Sequence, residues 1–330
     1  MTDVAIIGAG IAGASLAAEL SARHRVALIE AEAQPGYHTT GRSAAIWIPN
    51  LGPPAVRALT AESQNFFLEH GFGTPRDIVY LDDDSNAFDA LLADGLEEIS
   101  LSSIPALRRN CAPRAARLRT AFDIDVAAVH GHYLRRLKTN GGSLLTRHRA
   151  GALERRGSAW RIETNGGPVD AAILVNAAGA WADEIAILAG IEPIGLIPMR
   201  RTALIIDAGA ITADWPMLKP ATQSWYARPE ARTKLLVSPA DETPTHAHDV
   251  QPEEIDIATA IDRVTQFLDI EITRVEHAWA GLRTFAPDRN LVLRWGDAAH
   301  TFFWCAGQGG YGIQTAPAAA AFAAAQIRNL

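Results

Sequence analysis

The chain is short of cysteine, of long apolar runs and of clustered positive charge, and each shortage removes a class of function. Its two cysteines, Cys111 and Cys305, stand in no CxxC or zinc-ligand spacing, so they read as free thiols in a reducing compartment. No block of Lys and Arg interrupts a formal net charge of −7. The clustered cations that a phosphate backbone requires are missing, and no nucleic-acid partner is expected. The longest apolar stretch, APAAAAFAAAQI, is too short to span a bilayer and reads as a strong helix former. No basic segment precedes the first apolar residues, and glycines break them at once, as in a buried strand and unlike a secretory signal. These features predict a cytoplasmic protein with no stable membrane insertion. His246 and His248 lie two apart with no third ligand nearby, so no metal site is predicted; His277 and His300 read as structural. What remains is a chain of 330 residues, 48% hydrophobic and 20% charged, enough for one large domain or two interwoven ones.

The most informative segment is DVAIIGAGIAGASLAAELSARHRVALIEAE. Asp3 to Ile7 predicts a buried strand, residues 11–22 an Ala/Leu helix, and RVALIE a second strand ending on Glu30. Gly8, Gly10 and Gly13 form GxGxxG between the first strand and the helix. Gly8 permits the turn, Gly10 lets the backbone approach a pyrophosphate, and Gly13 lets helix and sheet pack closely. The helix N-terminus, at Ile11 and Ala12, offers N–H groups and the positive end of a dipole. Glu30, with Ala31 beside it, is placed to accept ribose hydroxyls. The unit predicts a dinucleotide with a free 2′-hydroxyl, FAD or NAD.

The rest of the chain separates those two. The βαβ repeat stops after Glu30, and AEAQPGYHTTGRSAA follows as a polar loop suited to tracking a long cofactor through Thr40, Gly41, Arg42, Ser43, Ala44 and Ala45. A proline-started helix, stopped by Gly71, comes next; residues 77–140 read as short helices and turns. Strands return after about residue 141, and Ala150 there is expected to lie against the cofactor. ILVNAAGA then predicts a buried strand whose end, at Ala178 and Gly179 with Trp181 beyond, lies against the cofactor. Alternating strands occupy residues 199–238, followed by a helix from Pro252 with an acidic first turn. VEHAWAGLRTFA, NLVLRW and TFFWCAG are strands again. The second glycine loop, Gly307 to Gly312, leads into a closing helix from about Tyr311. Its first turn (Gly309, Gly310, Tyr311, Gly312, Ile313, Gln314, Thr315) is expected to face the isoalloxazine, where a helix N-terminus favours negative charge. The predicted class is therefore α/β: an FAD-binding, Rossmann-like domain of the glutathione-reductase type, made of 1–47, 141–192 and 278–330, interwoven with an α+β substrate domain made of 48–140 and 193–277.

The stretches EAQPGYHTTGRSAA, VRALTAES, LVNAAGAWADEIAILAG, WPML, HDVQPEEIDIATA, HAWAGLRTF and FFWCAGQGGYGIQT make the chain resemble the D-amino acid oxidase superfamily, most closely its bacterial D-arginine dehydrogenases. Residues 72–122 match poorly. The resemblance implies hydride transfer from substrate Cα to flavin N5, and an imino acid that hydrolyses to a 2-oxo acid and ammonia. It implies non-covalent FAD, a small amino acid as substrate and no specified electron acceptor. It assigns Arg283, Arg201 and Tyr226 to the substrate carboxylate, a role that suits a bidentate guanidinium. Gly281 offers its carbonyl to the substrate amine, Gln314 lies beside the flavin and Met217 forms a pocket wall. Because neighbours on a strand face opposite ways, one of Arg200 and Arg201 is expected to be solvated.

The chain departs from the resemblance at Ile46, Ile48 and Leu51, where three polar contacts are replaced by apolar side chains. Asp77 is the nearest candidate for an acid that receives a cationic side chain. The expected substrate is thus a D-amino acid with an apolar or uncharged side chain, since an unpaired guanidinium is disfavoured in an apolar pocket. A 2-hydroxy acid or secondary amine is the alternative for the same clamp, and a non-catalytic flavin-binding protein the alternative of another class.

Overall fold

The computed structural model describes residues 2–104, 106–209, 215–231 and 233–328, and every candidate site residue lies among them. Two large sheets organise the chain. In the eight-stranded sheet, the strands Phe302–Ala306, Val169–Asn176, Thr2–Ile7, Val26–Ile29 and Ser143–Leu145 run parallel in that order. Antiparallel strands Ala150–Arg156 and Ala159–Thr164 extend one side, and Val292–Trp295 pairs with Phe302–Ala306. Alternation sorts the core onto two faces. Val4 and Ile6 pack with helices Ile11–Leu20, Val126–Thr139 and Gly312–Arg328, whereas Ala5 and Ile7 pack with Trp160, Ile185 and Ala186.

The second sheet has nine strands, antiparallel except where Met217–Pro220 pairs with Ile78–Leu81. Its backbone is the long pairing of Ile197–Asp207 with Arg274–Phe285. A three-stranded sheet of Ile46–Trp47, Phe122–Ile124 and Gly73–Pro75 closes the helix layer beside the first sheet.

The structure alters three sequence expectations. Residues 77–140 are not only helices and turns: Ile78–Leu81, Glu97–Ile99 and Ala115–Leu118 are strands of the second sheet. Strands this short lack a readable alternation, and pairing with the distant Met217–Pro220 segment defines them. The boundary at 278 cuts the strand Arg274–Phe285, which belongs to the second sheet throughout its length. Helices Pro54–Glu69 and Val126–Thr139, placed by the sequence with the substrate domain, pack on the closing helix and on Ile11–Leu20 respectively. Their apolar faces are matched to the nucleotide layer, as shown by buried Phe67, Val129 and Tyr133 in its core. Gly71, at φ +67°, ends the first of these helices as expected.

The entrance of the chain into its first helix depends on missing side chains. A Cβ at Gly13 would lie 1.9 Å from the Gly8 carbonyl oxygen, and one at Gly8 would lie 2.3 Å from that of Ala177. Gly→Ala inside a helix normally stabilises by about 1 kcal/mol, so the sign is informative here. Gly13→Ala should instead destabilise the apoprotein by about 1–3 kcal/mol, read as a lowered Tm; an unchanged or raised Tm contradicts this packing.

Candidate active site

The two glycine loops open on one cavity of about 870 Å³. At the first loop, Glu30 stands just past the strand Val26–Ile29 and accepts from Ala9 N (2.9 Å) and Glu32 N (2.8 Å). His130 Nε2 bonds the Ala9 carbonyl oxygen at 2.9 Å, and burial holds its pKa below the usual histidine range. Thr40 Oγ1 accepts from Ile11 N at 2.9 Å. The Ala12 and Gly13 N–H groups that follow have no acceptor within the helix. A Cβ at Gly10 would meet only the Thr40 hydroxyl, at 3.2 Å, so its absence leaves room on the cavity side. An extended phosphate ester that also bears hydroxyls fits this cradle: N–H donors of a helix start and open space at Gly10 suit the anion, and the Glu30 carboxylate on the cavity wall suits hydroxyl donors.

Between the loops, Thr39 to Ala45 is fastened to the second sheet. Thr39 Oγ1 donates to Leu282 O (2.7 Å), and Trp279 Nε1 donates to Arg42 O (2.9 Å). The Arg42 guanidinium donates to the carbonyls of Val250 and Ala280 (3.0 Å each) and to the Asp249 carboxylate. Asp249 is held below the ordinary carboxylate range by that bond. Arg42 therefore acts as a clamp between chain segments while it lines the cavity.

At the second loop, Gly309 donates its N–H to Thr284 O at 2.9 Å, and a Cβ there would press on the Phe285 ring at 2.2 Å. A Cβ at Gly310 would lie 2.9 Å from Arg283 Nη1. Loop and guanidinium are thus in direct apposition, and only glycine leaves both in place.

The cations follow from sheet register. Arg201 pairs with Gly281 and Met199 with Arg283, so Arg201 and Arg283 are diagonal neighbours on one face. Arg200 points to the other face, where it bonds Asp256 Oδ2 (2.9 Å) and Glu253 on or beside the helix Glu254–Phe267. Neither arginine is solvated, contrary to expectation; each face of this strand is covered. Arg201 donates to Asp241 O (2.6 Å) and to Glu242 Oε1 (3.2 Å), an acid it shares with Arg289 (3.0 Å). Burial, followed by the charge of Arg283, lowers its pKa to about 10. Among the described residues, no ion pair neutralises Arg283. Tyr226, Met217, Ile46, Ile48, Leu51 and Gly281 also line the cavity.

Most sequence-assigned cofactor positions line the same cavity: Gly8, Gly10, Ile11, Ala12, Glu30, Ala31, Thr40, Arg42, Ser43, Ala44, Ala45, Ala150, Ala178, Gly179, Trp181, Gly309, Gly310, Tyr311, Gly312, Ile313 and Gln314. Gly13, Gly41 and Thr315 do not line it. Gly41 closes a turn by donating to Gly36 O (2.7 Å), and the Thr315 hydroxyl bonds Tyr311 O within the helix (2.9 Å). Gln314 reaches the cavity wall, but its amide bridges Ile48 N (3.3 Å) and Thr60 Oγ1 (2.8 Å), joining three chain segments. Asp77 is 3.7 Å from both Arg117 and Arg119 and does not line the cavity.

The sequence reading missed Lys219, Arg289 and Glu242. Lys219 was within reach, because a residue two beyond Met217 on the same strand must share its face. The expected apolar side chain fits Ile46, Ile48 and Leu51 but does not account for this lysine. Burial pushes the Cys305 thiol up to about 12, and both cysteines are free. Among the described residues, no group of three His, Cys, Asp or Glu could hold a metal, and no helix is long and apolar enough to cross a membrane.

A dinucleotide cradle joined through one cavity to a guanidinium on a second sheet defines a two-domain flavoprotein oxidoreductase. The chain belongs to the DAO family, FAD dependent oxidoreductase, whose profile matches residues 3–326. A glycerol 3-phosphate dehydrogenase of Caloramator mitchellensis is 24% identical over 361 residues, covering 100% of this chain and 74% of the relative. The fold is similar to that of FAD-bound L-alpha-glycerophosphate oxidase from Mycoplasma pneumoniae, with TM-score 0.88, 15% identity and coverage of 100% and 95% of the two chains. It is also similar to L-proline dehydrogenase from P. horikoshii, with TM-score 0.86, 22% identity and coverage of 99% and 93%. Particular closeness to D-arginine dehydrogenases is not among these likenesses.

Glu30→Ala removes the acceptor of two loop N–H groups and the acid at the cradle. The apparent Kd for FAD should rise about tenfold or more, measured by fluorescence titration of the apoprotein. An unchanged Kd contradicts the placement of the cofactor at this loop.

Proposed function

We propose that this FAD-dependent oxidoreductase oxidises the Cα–N bond of a small amino acid of the D hand. The observation that carries the reading is the pair Arg201 and Arg283, side by side on one sheet face, with Arg283 against the glycine loop that opens the last helix. An α-carboxylate supplies the charge that Arg283 lacks, and a guanidinium receives it in two parallel hydrogen bonds. The Tyr226 hydroxyl, lining the same space, adds a donor. The Gly281 carbonyl belongs to the ladder with Arg201, and we assign its second lone pair to the substrate amine, which orients the Cα–H relative to the loop. Ile46, Ile48, Leu51 and Met217 exclude water from the adjoining wall.

When bound, FAD supplies the redox step by accepting a hydride from the substrate carbon. The residues of the chain contribute by binding and aiming. Arg283 and Arg201 fix one end of the substrate, the Gly281 carbonyl fixes the amine, and release of an imino acid leaves hydrolysis to water. The alternatives of a 2-hydroxy acid or a secondary amine use the same carboxylate clamp; at the Gly281 carbonyl only the hydroxy acid differs, and the secondary amine is separated by substrate tests alone. That carbonyl is an acceptor, and it favours a donor-rich nitrogen.

Anaerobic mixing of the FAD-loaded protein with D- and L-amino acids tests the reading through bleaching of the flavin visible band. Bleaching by D-amino acids is expected; bleaching by L-amino acids alone, or none by either hand, contradicts the proposal. Arg283→Met should lower kcat/KM by about 100-fold or more while FAD stays bound.

A further inference from the structure

We propose that the substrate carries a second anionic group, and that Lys219 receives it. The amino acid oxidised then ends in a carboxylate, or in an anion of like chemistry, and not in an apolar or neutral side chain. This rests on the reading above, in which an amino acid is held by its α-carboxylate.

Lys219 lies on the strand Met217–Pro220, between Ile78–Leu81 and Tyr226–Ala231. It is 4% exposed and lines the cavity. Its ammonium lies 5.3 Å from the centre of the Tyr80 ring and donates to Gln223 Oε1 at 3.0 Å. Among the described residues, no carboxylate pairs with it. A buried ammonium held by a neutral amide and one ring face has lost its hydration without gaining a counter-charge.

The surroundings hold this arrangement in place. Gln223 sits at φ +60°, a left-handed conformation uncommon outside glycine. Its N–H is fixed by Pro220 O (2.9 Å), and the neighbouring Thr222 is fixed to Asp83 through its N–H (3.0 Å) and its hydroxyl. The turn thus presents an uncharged acceptor that steers the lysine without neutralising it. A carboxylate entering the cavity can replace or join that acceptor and bring the missing charge.

The charge inventory favours two anions over one. Arg201, Lys219, Arg283 and Arg289 line this end of the cavity, and Glu242 is already shared by Arg201 and Arg289. One α-carboxylate serves Arg283 and leaves Lys219 unmatched. Burial, followed by the charges of Arg201 and Arg283, lowers the lysine to about 7 from its ordinary 10.5. Tyr80 and Gln223 beside it, and Tyr226 on the paired strand, bring no carboxylate. A second anion favours the protonated lysine, so affinity for dianions should weaken as pH rises through about 7.

The same depression gives a stability signature. Between about 7 and 10.5 the unfolded chain binds a proton at this position that the folded chain does not. The lysine therefore opposes folding, with its full effect reached below the folded value. Lys219→Met should raise the Tm of the ligand-free holoenzyme at neutral pH, the behaviour of a binding residue held against stability. A purely structural lysine gives the opposite sign.

The test is calorimetric titration of the holoenzyme with succinate and glutarate against butyrate, on either side of neutral pH. The dicarboxylates should bind about 10- to 100-fold more tightly than the monocarboxylate. Lys219→Met and Lys219→Gln should abolish that preference, and Lys219→Arg should keep most of it. In steady state, D-glutamate and D-aspartate should exceed their amides in kcat/KM, and Lys219→Met should erase the difference mainly through KM. Tighter binding of 3-phosphonopropionate than of either dicarboxylate, lost in Lys219→Met, assigns the second anion to phosphate. Equal binding of mono- and dicarboxylates by the wild type overturns the proposal. A fall in kcat for acidic and neutral substrates alike, with a shifted pH profile, also overturns it and makes Lys219 a proton acceptor. Dicarboxylate binding through Lys219 without oxidation of any amino acid leaves the anchor standing and removes the amino-acid reading. Turnover of neutral and acidic amino acids alike, unaffected by Lys219→Met, does the reverse.

Discussion

Like charges repel, and the largely buried Arg201 and Lys219 stand with the half-buried Arg283 on one wall of the cavity. The effect is visible in the groups themselves: Arg201 and Lys219 both lose proton affinity, chiefly through burial and further through the guanidinium charges beside them. Glu242 offsets part of this for Arg201, and Gln223 holds Lys219 without offsetting it. Proteins do not retain uncompensated buried cations for stability. Their persistence on one cavity wall fits a compensating partner that comes and goes, as a substrate does.

The two-sheet architecture sets that patch on the same cavity as the glycine cradle. The patch stands on the long pairing of Ile197–Asp207 with Arg274–Phe285, whose register sets the arginines on one face. The cradle stands on the parallel sheet, where Gly8 and Gly13 permit contacts that no side chain allows. Arg42, Thr39 and Trp279 tie the loop between them to the second sheet. Because Arg42 reaches two backbone carbonyls and Asp249, the distance between cradle and cations is held by several bonds and not by one. Gln314 performs a similar service, linking the last helix to Ile48 and Thr60.

Legibility in the sequence followed the range of the interactions involved. The cradle was readable because its causes are local: three glycines, a strand before, a helix after and an acid at the end of the next strand. The last strand, loop and helix were readable for the same reason. The order of strands in the second sheet was not, because short segments such as Ile78–Leu81 acquire their identity from partners far along the chain. The same limit explains the misplaced boundary inside Arg274–Phe285 and the helices at 54–69 and 126–139, whose amphipathic faces show burial but not against what. Arg201 and Arg283 came from resemblance and Lys219 from neither source. Asp77 was legible only as an acid in a poorly matching region, and its partners Arg117 and Arg119 are brought to it by sheet pairing.

In the proposed complex one cofactor spans both glycine loops, and the arginine patch lies over its reactive end. The most direct measurement is a crystal structure of the FAD-loaded protein soaked with benzoate, an unreactive carboxylate. The account predicts the pyrophosphate at Gly10–Ala12, the ring system at Gly309–Ile313, and the benzoate carboxylate on the Arg283 guanidinium. A ring system remote from Arg283, or a carboxylate bound elsewhere with Arg283 unengaged, contradicts it.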